Sequence, residues 1–468
     1  MRGVQSTSIK GYLFKYLKLW FGDFNKNELK KYVYLGLIFA IIIGIYWTLR
    51  PIKDTIFCSM IHNPESVACN PRAKGEFLIW AKMLSLILLF PIVILYSKAV
   101  ERFPRQHMFY FLGTLYSLLI LAFGLYFKYS PHGLADATGN PFRIIGWLWY
   151  VFVESYGSLM VALFWAFAAD TSSAESAKKG FAITVMVGQL GAIFGPFLLT
   201  PLGKNYFSNS APVVMLCALI NLLVIFGLYL FIKFTPENQL VGFHGSNEEE
   251  EESNQKPGFF EGLKLLFTHK YLIGIFLIIA VYEILITIID FNFKSCAMAK
   301  YADEAACTAY LGDYAVWVNL IAFLCILFGI NNIQRFLGVR VSLLIMPVLM
   351  ISMIGIFLFY GNLDSLFYIM VFLKAISYAI NGPTMKQLYV PTTKDVKYKT
   401  QAWIETFGSR GSKAVGSMFN LIVKSLSSNL FIIITGVFSV SIGLIWYVMA
   451  SYVGRKYQEA IKENKVVC

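Results

Sequence analysis

Charge is scarce in this sequence: Asp, Glu, Lys and Arg make up 14% of 468 residues, against 57% hydrophobic residues and a mean hydropathy of +0.62. So little charge excludes a soluble domain of this length, and so much apolar length exceeds what one core can absorb. Histidine is scarcer still. The five histidines form no metal-spaced cluster and no GxxxxGK[ST] phosphate loop occurs, so neither a metal enzyme nor a P-loop NTPase is indicated, and nothing calls for a cofactor. An extended basic arm is also missing. The net charge of +13 is scattered among short loops, which argues for membrane orientation and against nucleic acid as a partner. No apolar stretch followed by a small-residue cleavage site opens the chain. Residues 1–31, with Lys10, Lys15, Lys18, Lys26, Lys30 and Lys31, read as a basic cytosolic segment, and the first span serves as its own insertion signal.

What is present is a series of apolar segments about as long as a bilayer is thick, with Trp and Tyr near their ends. Spans are expected at 32–50, 77–97, 108–127, 144–169, 180–200 and 211–234, then at 271–293, 311–331, 341–360, 365–381, 402–424 and 431–452. This is an all-α polytopic membrane protein of about twelve transmembrane helices. An even count places both termini on one face, and the basic loops on that face make it the cytosol. The only long polar insert, Thr235 to Lys270, carries the acidic run GSNEEEEESNQKPG, which reads as a solvated linker. Its end, Gly258 to Leu272, alternates apolar and charged positions as a helix lying along the membrane surface does. The expected organisation is thus a cytosolic segment (1–31), a six-helix bundle (32–234), a linker with amphipathic helix (235–270), a second six-helix bundle (271–454) and a basic tail (455–468). Two six-helix halves joined by such a linker describe the major facilitator architecture.

Because a charge at the bilayer centre costs about 3 kcal/mol on insertion scales, the charges inside spans are the functional candidates. In the first half these are Arg50 and Lys53 at the end of the first span, Lys82 and Glu154. In the second they are Glu283, Asp290 and Lys294 on the seventh span, Lys374 and Lys386 around the tenth, then Glu405, Arg410 and Lys413. Lys399, Trp403, Thr406, Arg410, Lys413, Ser417 and Asn420 recur at alternating spacings of four and three, placing them on one helical face. Cations outnumber carboxylates in this set, which suits a polyanionic substrate. Tyr150 and Trp403, among several aromatics in spans, are candidates for stacking a planar base, although such residues more often simply pack. Interfacial snorkelling of Arg50, Lys53 and Lys294, and structural ion pairing of the carboxylates, are the competing explanations.

The halves echo each other once more. Cys58 and Cys69 follow the first span, and Cys296 and Cys307 follow the seventh with the same separation. In outward-facing loops each pair forms either a local disulfide or two unpaired thiols.

Five stretches, Thr48 to Asp54, Val153 to Phe181, Gly258 to Leu272, Ile286 to Ser295 and Tyr389 to Ser417, together resemble a known family, the nucleotide transporters of plastids and intracellular bacteria, or ATP:ADP antiporters. TLRPIKD (Thr48 to Asp54) is similar to the family's first-helix motif, whose functional lysine falls on Lys53. VESYGSLMVALFWAFAADTSSAESAKKGF (Val153 to Phe181) resembles the fourth-helix motif, with Glu154 in the acidic place. GFFEGLKLLFTHKYL resembles the segment before the seventh helix, ITIIDFNFKS (Ile286 to Ser295) the seventh-helix motif, and YVPTTKDVKYKTQAWIETFGSRGSKAVGS (Tyr389 to Ser417) the tyrosine-x-proline motif with its arginine- and lysine-bearing helix. The sequence departs from the family at Asp290, usually Glu, and at Ser412 to Gly416, usually Gly-Lys-Ser-Gly-Gly. The resemblance implies exchange of ATP for ADP across the inner (cell) membrane. Lys53, Arg410, Lys413, Arg50 and Lys82 would hold the phosphates, and Glu154, Asp290, Lys294 and Glu405 would supply counter-charge and coupling. Proton-coupled import of a nucleoside triphosphate or related nucleotide cofactor is the alternative within the family. From another class, a membrane sensor or assembly subunit would use the same charges only to pair.

Overall fold

The computed structural model describes residues 26–61, 73–136, 138–172, 174–236, 259–327, 333–360, 362–393, 396, 400–423, 426, 428–463 and 465–467. Among these residues the chain is all helical. In the first half α1 is Lys26–Ile61, α2 Ala73–Arg102, α3 Arg105–Tyr129, α4 Ile144–Asp170, α5 Ala174–Tyr206 and α6 Ala211–Phe234. After the short α7 (Phe259–Thr268) come α8 (Lys270–Lys300), α9 (Glu304–Leu327), α10 (Ile333–Phe359) and α11 (Leu363–Ile376). A π-turn at Ser377–Asn381 leads α11 into α12 (Gly382–Gln387). A turn at Gln401–Trp403 and a second π-turn at Ile404–Gly408 precede α13 (Ser409–Val423), and α14 is Ser428–Glu463. Helices are what an apolar solvent permits, because each backbone N–H finds its acceptor within its own segment. Large side chains such as Ile87, Leu95, Phe111 and Phe226 point outward, as lipid-facing residues do.

Eleven helices among the described residues are long and apolar enough to cross a membrane. The segment expected as the eleventh span, 402–424, falls outside that set. Its continuous helix is only the fifteen residues of α13, broken off from what precedes by the π-turn, and it carries Arg410 and Lys413. The amphipathic helix before the seventh span is present as α7. The leader up to Asn25, the acidic run, Cys69 and Lys394 to Lys399, except Val396, lie outside the described residues.

Helix pairing repeats between the halves. In the first half α1 packs on α5 and α3 on α6, while in the second α8 packs on α13 and α10 on α14. Small residues make the first kind of pair close: a Cβ on Gly191 would lie 1.9 Å from the Ala40 carbonyl oxygen, and one on Gly416 would lie 2.8 Å from that of Ile284. At the entry to α10, Gly338 adopts a φ of 77°, a left-handed conformation that glycine accepts without Cβ strain. One buried apolar cluster occupies α1 and α3–α6. A second fills the later half and takes in Phe57, Cys58 and Ile61 from the end of α1. Between the halves α5 meets α9 and α2 meets α13. Thr55 reaches Glu304, so the end of α1 and the start of α9 share a face, and Gly274 of α8 lies against Val453 of α14. Tracing these contacts places both described chain ends on the opposite face.

Candidate functional site

The first helix carries its charges far inside. The expected span ends at Arg50, yet α1 continues unbroken through Pro51 to Ile61, and Lys53 is 3% exposed. Snorkelling to the headgroups is therefore not what Lys53 does. Its ammonium sits 3.7 Å from the ring centroid of Tyr150, 2.6 Å from Glu154 Oε1 and 3.1 Å from Asp54 Oδ1. Asp54 Oδ2 is 2.8 Å from Lys294 Nζ, and Lys294 lies 3.1 Å from Asp290 Oδ2, one turn earlier on α8. The same Asp290 oxygen is 3.2 Å from Lys82 Nζ on α2. One chain of alternating charges, Glu154–Lys53–Asp54–Lys294–Asp290–Lys82, thus crosses between the halves twice, through the Asp54–Lys294 pair and through the Asp290–Lys82 pair.

Above this chain lies a cavity of about 290 Å³, near the lower end of ligand-sized pockets. Arg50, Lys53, Lys82, Lys294, Lys374, Arg410 and Lys413 line it, with Glu154, Glu283 and Asp290; Asp54 is packed just behind, beside Arg50 and Lys294. Seven cations thus face four carboxylates, an excess of three. Lys413 Nζ is 3.6 Å from Glu283 Oε1, which also accepts a 2.8 Å hydrogen bond from Ser409. Arg410 donates to Ser158 Oγ at 3.1 Å, joining α13 to α4 across the cavity. Arg50 stacks its guanidinium 4.9 Å from the Trp47 ring. The four carboxylates are all committed to Lys53, Lys294, Lys82 and Lys413. Among the described residues Arg50, Lys374 and Arg410 therefore have no carboxylate within ion-pair distance. At about 3 kcal/mol per charge, three such cations carry about 9 kcal/mol of unfavourable free energy unless water or an anion meets them.

Of the residues expected at the site, Arg50, Lys53, Lys82, Tyr150, Glu154, Asp290, Lys294, Arg410 and Lys413 do line one cavity. Trp403 does not: it packs edge-on to Phe276 at 6.3 Å. Glu405 is exposed and accepts from Gln401 Nε2 at 2.8 Å. The π-turn at Ile404–Gly408 explains both, since its extra residue per turn rotates everything before Gly408 out of register with Arg410 and Lys413. Tyr150 has the Lys53 ammonium over its ring, which leaves Tyr46, also on the cavity wall, as the more accessible aromatic. Lys386 is exposed on α12, away from the cavity. Among the described residues the cysteines of the two expected pairs are on helices: Cys58 is buried in α1, Cys296 lies on α8 and Cys307 is buried on α9, while Cys69 lies outside the described residues.

Asp54 is the residue that sequence reasoning passes over. It follows Lys53 directly, in what looks like an interfacial Lys-Asp pair. Ser158, four residues after Glu154, carries a signal of the same kind, since a helix places it on the carboxylate's face.

Residues 145–369 match the TLC ATP/ADP transporter family. Over this stretch the chain is similar to the nucleotide transporter family. Relatives of this family resemble it over most of its length. The ADP,ATP carrier protein 3 of Rickettsia prowazekii is 23% identical over 85% of this chain and 88% of its own. The ADP,ATP carrier protein 1 of Chlamydia pneumoniae is 24% identical over 96% and 95%. Among solved structures, a mutant of the peptide transporter POT in complex with alafosfalin superposes with a TM-score of 0.60 at 12% identity, covering 90% of this chain and 95% of that one. A D-xylose–proton symporter superposes at 0.58 and 14%, covering 90% and 96%. These likenesses show the major facilitator fold. Four of the stretches that carry the family resemblance, on α1, α4, α8 and α13, meet at the cavity, together with residues of α2 and α11.

Proposed function

We propose that this transporter exchanges ATP for ADP across the inner membrane by alternating access, with both termini in the cytosol. The observation that carries the reading is the cavity between the halves, where cations exceed carboxylates by three. A di- or triphosphate supplies negative charge of that order, in oxygens suited to guanidinium and ammonium donors. Lys53 couples binding to movement. Of its two partners, Glu154 is 34% exposed toward the cavity while Asp54 is 1% exposed, so a phosphate arriving from the cavity displaces Glu154 and leaves the Asp54 pair in place. On the face away from the chain ends the halves are joined by Asp54–Lys294, by Lys82–Asp290 and by Glu304. On the other side of the cavity they are joined by Arg410–Ser158. A nucleotide that draws Arg410 onto its phosphates releases the second contact, and opening can then alternate.

Purified protein in proteoliposomes, loaded with ADP or left empty, tests this with labelled ATP outside. Rapid uptake into loaded vesicles only is expected. Equal uptake into both removes obligatory exchange, and a dependence on an imposed proton gradient replaces it with proton-coupled import. No uptake of any nucleotide removes the transport reading and leaves that of a sensor or assembly subunit.

A further inference from the structure

The seven cations of the cavity divide into two groups by their partners. Lys53, Lys82, Lys294 and Lys413 are each within ion-pair distance of at least one carboxylate, and three of these four belong to the network that joins the halves. Arg50, Lys374 and Arg410 are not. The carboxylates that lie toward Lys374, Glu283 and Asp290, are taken up by Lys413 and Ser409 and by Lys82 and Lys294. Resting on the nucleotide-exchange reading, we propose that Lys374 is a substrate-binding residue, forming with Arg50 and Arg410 the subsite that first receives the phosphates. The cations already paired with carboxylates then act mainly in coupling.

Several features of the fold support this. The three side chains come from α1, α11 and α13, so a single polyphosphate contacting all of them bridges the two halves. Arg50 is held from behind: its guanidinium lies on Trp47, 4.9 Å from the ring, and Tyr378 meets Trp47 edge-on at 6.5 Å. Such a clamp fixes the planar fork without spending a carboxylate on it, which leaves donor capacity for an anion. Tyr378 sits in the π-turn Ser377–Asn381, four residues after Lys374, so the irregularity in α11 builds the wall on which both cations rest. Lys374 and Arg50 also lie close enough to repel one another. An anion between them turns that repulsion into shared attraction. A cation kept for structure alone has its acid beside it, as Lys53 does.

Thermal unfolding of the full-length protein in detergent, titrated separately with ATP, ADP and inorganic pyrophosphate, tests the assignment. In Lys374→Gln the half-saturating concentration of each ligand should rise about tenfold or more, as expected for loss of one charge-assisted hydrogen bond. The ligand-free melting temperature should stay the same or rise, because an unmatched cation has been removed. Lys374→Arg should recover most of the binding. Lys53→Gln serves as the contrast, since it should lower the ligand-free melting temperature by leaving Glu154 and Asp54 short of a partner. Unchanged half-saturation in Lys374→Gln overturns the subsite, and so does a ligand-free loss as large as that of Lys53→Gln. If none of the three ligands stabilises the wild type, the subsite is also overturned. If pyrophosphate stabilises the wild type, ATP and ADP do not, and Lys374→Gln weakens pyrophosphate, the phosphate subsite stands while nucleotide exchange falls.

Discussion

Replacing Asp54 by Asn removes the one carboxylate that ties α1 to α8, and the structure allows its effect to be sized. The Asp54–Lys294 pair is 2.8 Å long, with side chains 1% and 10% exposed. At an effective dielectric constant of about 20, Coulomb's law gives about 6 kcal/mol at that distance. Desolvation of two buried ions offsets the larger part, and Lys53 and Lys294 each keep a second acid, Glu154 and Asp290. A net coupling of about 2 kcal/mol remains, in the range found for contacting residues. That corresponds to about a thirtyfold shift in the balance between closed and open forms on this face. Leu311 provides a reporter, since it lines the small cleft beside Trp47, Arg50, Asp54 and Lys294 and is 2% exposed. With the native cysteines replaced by serine and Leu311→Cys introduced, a membrane-impermeant thiol reagent on the face away from the chain ends should label Asp54→Asn about thirtyfold faster. Asp54→Glu should behave like the parent. A labelling rate changed by less than threefold in Asp54→Asn refutes the reasoning that this pair holds the face shut.

Two further outcomes follow from other contacts. Glu304 accepts from Thr55 Oγ1 at 3.0 Å, from Thr308 Oγ1 at 2.8 Å and from the backbone N–H of Ser210 at 3.0 Å, so Glu304→Ala removes an acceptor shared by α1, α6 and α9. It should lower the melting temperature and speed labelling of the Leu311→Cys reporter, whereas Glu304→Gln, which keeps one carbonyl oxygen, should do less of both. In the loop between α3 and α4, the Thr138 hydroxyl and N–H, His132 and Arg143 hold the Asp136 carboxyl down to about 2, below its ordinary 3.8. A depressed carboxylate contributes stability that is present above the ordinary value and lost as pH falls through the folded one. The loop should therefore keep its order to about pH 4 and lose it between about 4 and 2, a transition absent from Asp136→Asn when followed by hydrogen exchange.

The helical class, the halves and most of the cavity wall are legible in the sequence because each follows from a local rule. Apolar length gives spans, and a charge inside a span needs a partner. What is not legible depends on partners distant in the chain. The first span reads as ending at Arg50 because Arg50, Lys53 and Asp54 look interfacial when no partner is visible. With Glu154 and Lys294 in place the helix runs on to Ile61, which buries Cys58 with it. The stripe from Lys399 to Asn420 assumes an uninterrupted helix. A π-turn leaves no mark in polar spacing, so the spacing assigns Trp403 and Glu405 to a wall that only Arg410 and Lys413 reach.

The same charge inventory bears on why transport by this protein should be exchange. Four cations and four carboxylates balance inside the protein in any state that keeps their pairs, whereas Arg50, Lys374 and Arg410 are left over in every state without substrate. An empty cavity that closes to change sides must shed the water around those three cations. The insertion-scale cost of about 9 kcal/mol sets a ceiling near a millionfold on how much slower the empty swing is than the loaded one. Each nucleotide phosphate that enters lowers this barrier, so passage in one direction obliges passage in the other. Ser158→Ala, which removes the Arg410–Ser158 contact and leaves the excess at three, is the control for Arg410→Gln, in which the excess falls from three to two. Loaded vesicles should then exchange more slowly as phosphate affinity drops, and empty vesicles should begin to take up labelled ATP, with the ratio of loaded to empty uptake falling at least tenfold. If that ratio holds while both rates fall together, the leftover charge is not what forbids the empty return.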